Sequence, residues 1–226
     1  MKNETLLQQY YPFVTFLSKV MGRNCEVVLH DLSRPESSVI AIENGHITGR
    51  KIGDAPTNLV LKVLQEKTYL TRDFIANYKA VNKDGKVFRS SSFFIKNDKK
   101  ELVGILCVNA DVAHYAKIKE MMDQFLSFSD EMVNLEAKQA EEETLAFEQL
   151  HGKVEDVLST IIIQTMETFD VPPERLSAKE KMNVVRDLHD QGTFLLKGGV
   201  CEVAKILKTS EPTIYRYLQK IKDENN

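Results

Sequence analysis

The 226-residue sequence predicts an α+β fold with a separate all-α region at its C-terminal end. Three observations support this fold class. The runs before about residue 112 are β-rich, a heptad spacing of apolar residues begins at Ile118, and the last fifty residues hold two short amphipathic helices joined by a tight turn. We therefore divide the chain into an N-terminal domain at residues 1–115, a helical linker and dimerisation segment at 116–170, and a C-terminal domain at 171–226.

The N-terminal domain is expected to hold one antiparallel sheet with helices on it. A helix is predicted from Leu6 to Met21, and β-rich runs follow at Cys25–Leu32 and Ser38–Thr48. The second run contains an Asn-Gly pair at positions 44 and 45, which suits a tight turn. Helical periodicity then covers Gly53–Lys67, and three strands with short polar turns, at 73–82, 86–95 and 101–110, predict an antiparallel meander.

Apolar residues in the first half of the linker are spaced as in a coiled coil. Steps of three and four residues repeat over nearly three heptads, so this helix is predicted to join two copies of the chain in a homodimer. The alternative is that the helix packs on its own sheet, because short heptad runs are ambiguous. The positions concerned are Ile118, Met121, Phe125, Phe128, Met132 and Leu135.

The second half of the linker changes character twice. Glu136–Gln149 is highly charged and predicts a solvated helix or a flexible joint. A second amphipathic helix is expected from Leu150 to Ile162, and the pair Pro172 and Pro173 marks the boundary to the C-terminal domain.

The C-terminal domain is predicted to be entirely helical. Ser177 and Glu180 form a capping box that opens a helix with Val185 and Leu188 among its apolar positions. Two shorter helices follow, joined by a turn at Lys208 and Thr209. The first has an apolar stripe of Val200, Val203, Ala204 and Leu207; the second is capped by Ser210, holds Pro212 in its first turn, and directs Ile214, Leu218 and Ile221 inward with Tyr217 at the edge.

These two helices have the layout of a helix-turn-helix, whose second helix enters the major groove of DNA. Its outward polar side chains suit base edges, and Lys208, Lys220 and Lys222 suit phosphates. The alternative is a plain helical hairpin, which would need only the apolar stripes. The predicted partner is double-stranded DNA, contacted through Thr209, Ser210, Glu211, Thr213, Tyr215, Arg216, Gln219 and Lys220.

Charge and cysteine usage narrow the class of protein. Residues 171–226 carry 10 basic and 8 acidic side chains, so one copy should bind DNA weakly and a dimer is the expected working form. The 3 cysteines are far apart and lack ligand spacing, which argues against a disulfide framework and a metal site. Because the sequence shows no signal peptide, membrane-spanning run, phosphate-binding glycine loop or cysteine motif for flavin attachment, we expect a cytoplasmic protein without a cofactor.

Several of these runs together resemble the YheO-like PAS domain family of bacterial transcriptional regulators. They are VVLHDL, ENGHITGRKIGDAPT, NYKA, FRSSSFFIK and GILCVNADV, while FLLKGGVCEVAKILKTSEPTIYRYL resembles the helix-turn-helix that accompanies this PAS domain. The resemblance covers residues from about 6 to 115 and from about 171 to 222. It implies a PAS-type sensor domain, a C-terminal DNA-binding domain and a cytoplasmic bacterial regulator.

Polar residues recur inside the β-rich runs of the N-terminal domain. A few convergent polar groups on an apolar sheet can form a small-molecule pocket, and a mixture of basic and acidic groups suits a zwitterionic or polar metabolite. For any single residue, the alternative is that it satisfies loop backbone. The predicted ligand-binding residues are His30, Asp31, Asn44, His46, Arg50, Tyr78, Arg89, Ser91 and Asn109.

Two other interpretations stay open at this point. Cys107 with His30 or His46 could act as the thiol nucleophile of an enzyme, although a cysteine in the apolar run GILCV is more typical of a buried, inert thiol. The chain could also be a dimerisation module with a vestigial pocket. A regulator without catalytic residues is the function that we expect.

Overall fold

The computed structural model describes residues 3–127, 148–150, 152–169 and 172–224. These residues form eight α-helices and six β-strands. In chain order they are α1 (Asn3–Gln8), α2 (Tyr11–Met21), β1 (Cys25–Asp31), β2 (Val39–Glu43), α3 (Asn58–Glu66), β3 (Phe74–Asn82), β4 (Val87–Lys96), β5 (Leu102–Asp111), α4 (Ala113–Ser127), β6 (Glu148–Leu150), α5 (Val154–Glu167), α6 (Ala178–Asp190), α7 (Gly199–Ile206) and α8 (Glu211–Glu224).

The six strands form one sheet in the order β2-β1-β5-β4-β3-β6. β4 pairs antiparallel with both β3 and β5, which confirms the predicted meander. β1 pairs antiparallel with β5, and β2 lies outside β1 at one edge. At the other edge β6 runs parallel to β3. The α+β class is therefore confirmed.

Each face of the sheet is covered by helices. Successive residues of a strand point to opposite faces, and in β1 Val27 and Leu29 pack with Leu7 of α1 and Val14 of α2 on the outer face. The inner face carries residues such as Val28 and packs against α3 through Leu59, Val60 and Val63.

Helices α5 to α8 enclose a second core, which is almost entirely apolar. The predicted capping box opens α6: the Glu180 carboxylate accepts a bond from the Ser177 backbone N–H at 2.7 Å, and the Glu180 backbone N–H donates to Ser177 Oγ at 3.3 Å. α5 lies in the segment that the sequence analysis assigned to the linker, yet it shares this core with the later helices. The core includes Val157, Leu158, Ile161, Val184, Val185, Leu188, Val203, Leu207, Ile214 and Ile221.

The two cores meet at α3. While Leu59, Val60 and Val63 face the sheet, Leu61 packs into the helical core. Gly192, which precedes a short 3₁₀ turn after α6, adopts a positive φ of 77°, and a Cβ added there would lie 2.8 Å from the Leu61 carbonyl oxygen. A glycine is therefore required for this close approach of the two backbones.

Three local predictions in the two domains were wrong. The single N-terminal helix is two helices, and Pro12 explains the break because it lacks an N–H and crowds the preceding turn of a continuous helix. The β-rich run expected to reach Thr48 ends as a strand at Glu43, and the Asn-Gly pair forms the expected turn, in which the Asn44 carbonyl accepts the Ile47 N–H at 3.1 Å. Asn44 is left-handed, with φ 58°, and its side chain donates to the Gly22 and Cys25 carbonyls. Tyr217 is buried in the helical core and not at its edge.

The linker differs most from expectation. Phe128, Met132, Leu135 and the charged run up to residue 147 lie outside the described residues. Glu148 and Gln149, expected in the charged joint, and Leu150, expected in a helix, form the strand β6. In α4, Ile118, Met121 and Phe125 are 54%, 62% and 79% exposed, so the described part of the predicted coiled-coil helix does not pack on its own sheet.

Candidate functional site

The inner face of the sheet carries a set of buried polar side chains among its apolar residues. They come from the strands β1, β3, β4 and β5, from the loops before and after β2, and from β6. Ordinary cores hold few such groups, and polar groups inside a protein cost free energy unless they find partners. We call this set the buried polar cluster; it comprises Glu26, His30, Ser38, Thr48, Arg50, Thr57, Tyr78, Ser90, Ser92, Asn109 and Glu148.

One row of the cluster crosses three strands around Glu26. Glu26 of β1 lies opposite Asn109 of β5, and Asn109 lies opposite Ser90 of β4. Asn109 Nδ2 donates to Glu26 Oε1 at 2.9 Å, and Ser90 Oγ donates to Asn109 Oδ1 at 2.8 Å. The Thr48 hydroxyl donates to the other oxygen of Glu26. The pairing of β1 with β5 and the position of the loop after β2 thus give each oxygen of the Glu26 carboxylate a hydrogen-bond donor.

His30 and Arg50 are only partly satisfied. His30 Nδ1 is 2.8 Å from Ser38 Oγ, and Arg50 Nη2 donates to the Ala55 carbonyl at 2.8 Å. However, His30 Nε2 and Arg50 Nε are buried and have no hydrogen-bond partner among the described residues. A buried nitrogen without a partner carries its full desolvation cost, so these two atoms are where the cluster is incomplete.

Glu148 of β6 enters the cluster from the sheet edge. The Tyr78 hydroxyl donates to its Oε2 at 2.9 Å, and the Thr57 hydroxyl donates to its Oε1 at 2.5 Å. The Tyr78 hydroxyl oxygen is also 2.7 Å from Ser92 Oγ, within hydrogen-bond distance. The segment assigned to the linker thus supplies one of the two carboxylates of the cluster.

Burial dominates the ionisation of these groups. It raises the pKa of Glu26 and of Glu148 above the usual carboxyl value, although their hydrogen bonds and the Arg50 guanidinium oppose the shift. Burial and then the charge of Arg50 hold the pKa of His30 well below its usual value, so His30 is neutral at pH 7. Burial also raises the pKa of Tyr78 well above 10, and its hydroxyl stays protonated as a donor.

A second candidate site is formed by α7, α8 and the turn between them. Lys208 adopts a left-handed conformation with φ 48°, and the Thr209 N–H donates to the Ala204 carbonyl at 3.0 Å, which reverses the chain. The Ser210 carbonyl accepts the Thr213 N–H at 2.9 Å as α8 begins. Ile214 and Ile221 then hold α8 against the helical core.

The opposite face of α8 is polar and open to solvent. Of the predicted DNA contacts, Thr209 and Thr213 are half-buried and the others are exposed; Tyr215 is 59% exposed. The Arg216 guanidinium carbon lies 5.9 Å from the centre of the Tyr217 ring, a cation–π distance that would orient the arginine. The predicted DNA contacts with exposed side chains are Ser210, Glu211, Tyr215, Arg216, Gln219 and Lys220.

Two family models match the chain. That of the YheO-like PAS domain matches residues 1–127, which is more than half of the sequence. The chain belongs to the YheO-like PAS domain family. A helix-turn-helix domain model matches residues 157–219, so this PAS domain is combined with a helix-turn-helix domain, which is the composition of a transcriptional regulator. The resemblance drawn from the sequence is therefore confirmed.

Three relatives align with this chain over nearly its whole length. The protein YheO of Escherichia coli (strain K12) is 27% identical over 96% of this chain and 85% of its own length. A Haemophilus influenzae protein is 29% identical over 99% of this chain and 94% of its own. The Pseudomonas aeruginosa protein named transcriptional regulator DauR is 24% identical over 96% of this chain and 95% of its own.

The PAS fold brings together four of the nine predicted ligand-binding residues. His30, Arg50, Tyr78 and Asn109 belong to the buried polar cluster. The other five lie elsewhere because of strand register or loop position. Asp31 accepts from the Ser33 backbone N–H and hydroxyl in a turn, Asn44 bonds loop carbonyls, His46 and Arg89 are exposed, and Ser91 Oγ accepts the Asn77 N–H on the opposite face of β4. As ligand contacts, all nine residues stay predictions.

Sequence reasoning missed the carboxylates of the cluster. Glu26 stands between Cys25 and Val27 in a β-rich run, and a charged residue inside such a run was an available signal of a paired or functional carboxylate. Glu148 carried no such signal, since it ends a run rich in glutamate.

The thiol-nucleophile interpretation fits the PAS interior poorly. Burial raises the pKa of Cys107 to about 12, so its thiol is protonated at neutral pH, whereas a nucleophilic cysteine needs a depressed pKa. His46 is exposed and His30 bonds to Ser38. Within the residues that the structure describes, no group of three metal-ligating side chains is found. None of the described helices combines the length and the apolar character needed to cross a membrane.

Proposed function

We propose that this YheO-like PAS protein binds operator DNA as a homodimer through α7 and α8, and senses a small zwitterionic metabolite in the buried polar cluster. The observation that carries the proposal is a PAS interior with two unpartnered buried nitrogens in the same chain as a helix-turn-helix with an exposed polar second helix. The name of the Pseudomonas aeruginosa relative, a transcriptional regulator, supports the same function.

The exposed face of α8 supports DNA binding. In helix-turn-helix proteins the residues near the start of the second helix meet base edges. Arg216 lies in the second turn and can reach guanine, while Lys220, one turn later, suits a phosphate.

Selection of the full chain against random duplex DNA tests this part. We expect one preferred sequence, which Arg216→Ala should weaken by about 1–3 kcal/mol, whereas Lys220→Ala should lower the salt dependence of binding. Arg175→Ala, at an exposed arginine before α6, is the matched control and should change neither quantity. Absence of any selected sequence would contradict the proposal.

The chemistry of the cluster supports a zwitterion. If Ser38 donates to His30 Nδ1, then neutral His30 carries its proton on Nε2, and His30 and Arg50 can both donate to a ligand carboxylate. Glu26 and Glu148 supply negative charge for an ammonium group. A ligand that carries both groups would complete the hydrogen bonds that the protein leaves open.

Thermal shift measurements can test the recognition of the ligand's carboxylate and of its ammonium group separately. Amino acids should be compared with amines that lack the carboxylate and with acids that lack the amino group. A bound zwitterion at a hundred times its dissociation constant should add about 2.7 kcal/mol of stability, and neither truncated analogue should match it. Arg50→Gln should abolish the shift and Arg72→Gln, at an exposed arginine of the same domain, should preserve it. No shift with any compound would contradict sensing.

The exposed stripe of α4 supports the homodimer. Ile118, Met121 and Phe125 follow a heptad spacing that the sequence continues to Leu135, and a second copy would cover them by the same stripe. Light scattering should show a dimer that the double variant Ile118→Glu, Phe125→Glu converts to a monomer. Phe13→Glu, at an exposed aromatic of α2, is the control. A persistent dimer in the double variant would place the interface elsewhere.

A further inference from the structure

β6 places a carboxylate inside the PAS domain where stability does not require one. Glu148 is 1% exposed and forms no ion pair among the described residues. A buried carboxylate costs free energy that an apolar side chain in the same position would not. The strand itself has only 3 residues and lies at the sheet edge, so its backbone pairing is a small compensation.

The hydrogen bonds of Glu148 connect the cluster to the first turn of α3. One oxygen receives the hydroxyl of Tyr78, whose ring lies within the inner core. The other receives the hydroxyl of Thr57, the N-cap of α3, whose Oγ1 also accepts the Val60 N–H at 3.4 Å. A change at Glu148 therefore acts directly on the start of α3.

Two of the connections from the PAS domain to the helix-turn-helix domain pass beside Glu148. One is α3, which packs into the helical core through Leu61. The other is the chain after β6: the Gly152 carbonyl accepts the Ala55 N–H at 3.0 Å, and α5 begins at Val154. Movement of β6 would shift α5 and loosen α3 together.

We propose that Glu148 is a ligand-site residue supplied from outside the PAS domain proper, and that its docking transmits the state of the buried polar cluster to the DNA-binding helices. This inference rests on the proposed metabolite sensing. A ligand ammonium group that pairs with Glu148 holds β6 on β3. Loss of the ligand leaves a buried carboxylate without an ion-pair partner, which favours release of β6.

A double-mutant cycle on the full chain tests the transmission without a known ligand. Arg50→Gln alters the cluster from the loop between β2 and α3, and the affinity for the selected operator is the readout. We expect Arg50→Gln to change this affinity at least fivefold in the wild-type background and less than twofold in the Glu148→Gln background. Glu167→Gln, at an exposed glutamate of α5, is the matched background and should behave as wild type.

Amide hydrogen exchange gives a second readout that needs neither ligand nor DNA. Glu148→Gln should accelerate exchange at least tenfold in β6 and at Val60, and leave β1 unchanged; Glu167→Gln should change none of these. If Arg50→Gln does not fold, His30→Gln takes its place in the cycle.

The outcomes separate this inference from the proposed function. Equal effects of Arg50→Gln on operator affinity in all backgrounds would overturn the role of Glu148 while leaving the regulator intact. Unchanged exchange in β6 would overturn it as well. If no operator is selected, the proposed function fails, and the exchange rates alone decide whether Glu148 holds β6.

Discussion

The interiors of the two domains are filled by different kinds of side chain. In the helix-turn-helix domain, α5 to α8 bury aliphatic residues with few polar groups, of which Thr165 and Thr193 are examples. In the PAS domain, the same sheet face that buries Val28, Phe88 and Phe94 also buries two carboxylates, a histidine and an arginine.

This difference separates a core that stabilises its domain by apolar burial from a core that, under the proposed function, also binds a ligand. Apolar contacts are additive and directionless, so the helical core gains stability from each buried methylene. The polar cluster gains little net stability, and each of its groups becomes costly as soon as a partner is lost. Substitutions should therefore act through volume in one domain and through charge and pH in the other.

The largest effect is expected from a truncation in the helical core. Ile161 of α5 is 1% exposed, and Ile161→Ala should lower the free energy of unfolding by about 2–5 kcal/mol, because it removes buried methylenes and leaves a cavity. Urea denaturation followed by circular dichroism measures the loss. A cost below about 1 kcal/mol would mean that this core is loosely packed and would weaken the contrast.

The contact between the domains should tolerate substitution almost as poorly. Gly192→Ala imposes a positive φ on alanine and drives its Cβ to 2.8 Å from the Leu61 carbonyl. Gly198→Ala is the control: it imposes a similar left-handed conformation, φ 87° and ψ −11° against 77° and 14° at Gly192, with nothing within 4 Å of the added Cβ, and should cost about 1–2 kcal/mol. The excess cost of Gly192→Ala over this control, expected to be about 1 kcal/mol or more, measures the clash. Equal losses in the free energy of unfolding would show that the contact between residue 192 and Leu61 relaxes to accept the added methyl group.

The two interiors also differ in how far the sequence predicted them. Capping at Ser177 and the stripes of α7 and α8 depend on residues within a few positions of one another, so local patterns were sufficient. The cluster depends on pairings over long distances: Glu26 meets Asn109 across 83 positions, and Tyr78 meets Glu148 across 70. No local pattern reports which strands will be neighbours.

β6 is the clearest case of a strand that a local sequence pattern could not predict. Three residues inside a glutamate-rich run have no period of their own, and they become a strand only because β3 offers an edge. Conversely, the heptad at Ile118 was visible because it repeats, although the sequence left open whether the helix would pack on its own sheet.

In the PAS domain, pH should be the sensitive variable. His30 has its pKa held well below the usual 6.5, so the folded state loses stability as the pH falls below 6.5, by up to about 1.4 kcal/mol per unit. Glu26 and Glu148, whose pKa values are raised, act in the opposite direction, since their contribution is lost as the pH rises above 4.5. His30→Gln should remove the histidine part of the slope between pH 6.5 and 5.

His46→Gln provides the control for that profile, because His46 is exposed on the same domain. The free energy of unfolding is measured by urea denaturation at each pH, and the part of the slope that His30→Gln removes beyond His46→Gln is the contribution of burial. Parallel slopes for His30→Gln and the wild type would indicate that His30 is solvated, and the buried cluster would then be smaller than described.

The smallest effect is expected two residues from the largest. Ile163 follows Ile161 and Ile162 on α5, but its side chain is 56% exposed. Ile163→Ala removes the same atoms as Ile161→Ala while leaving no cavity, and alanine has the higher helix propensity, so the free energy of unfolding should change by less than about 0.5 kcal/mol. Because residue type, helix and method are identical, the difference between the two variants isolates burial. A substantial loss at Ile163 would mean that its surface is covered in solution, and the same variant measured at several protein concentrations would show whether a second copy covers it, since only then would the loss depend on concentration.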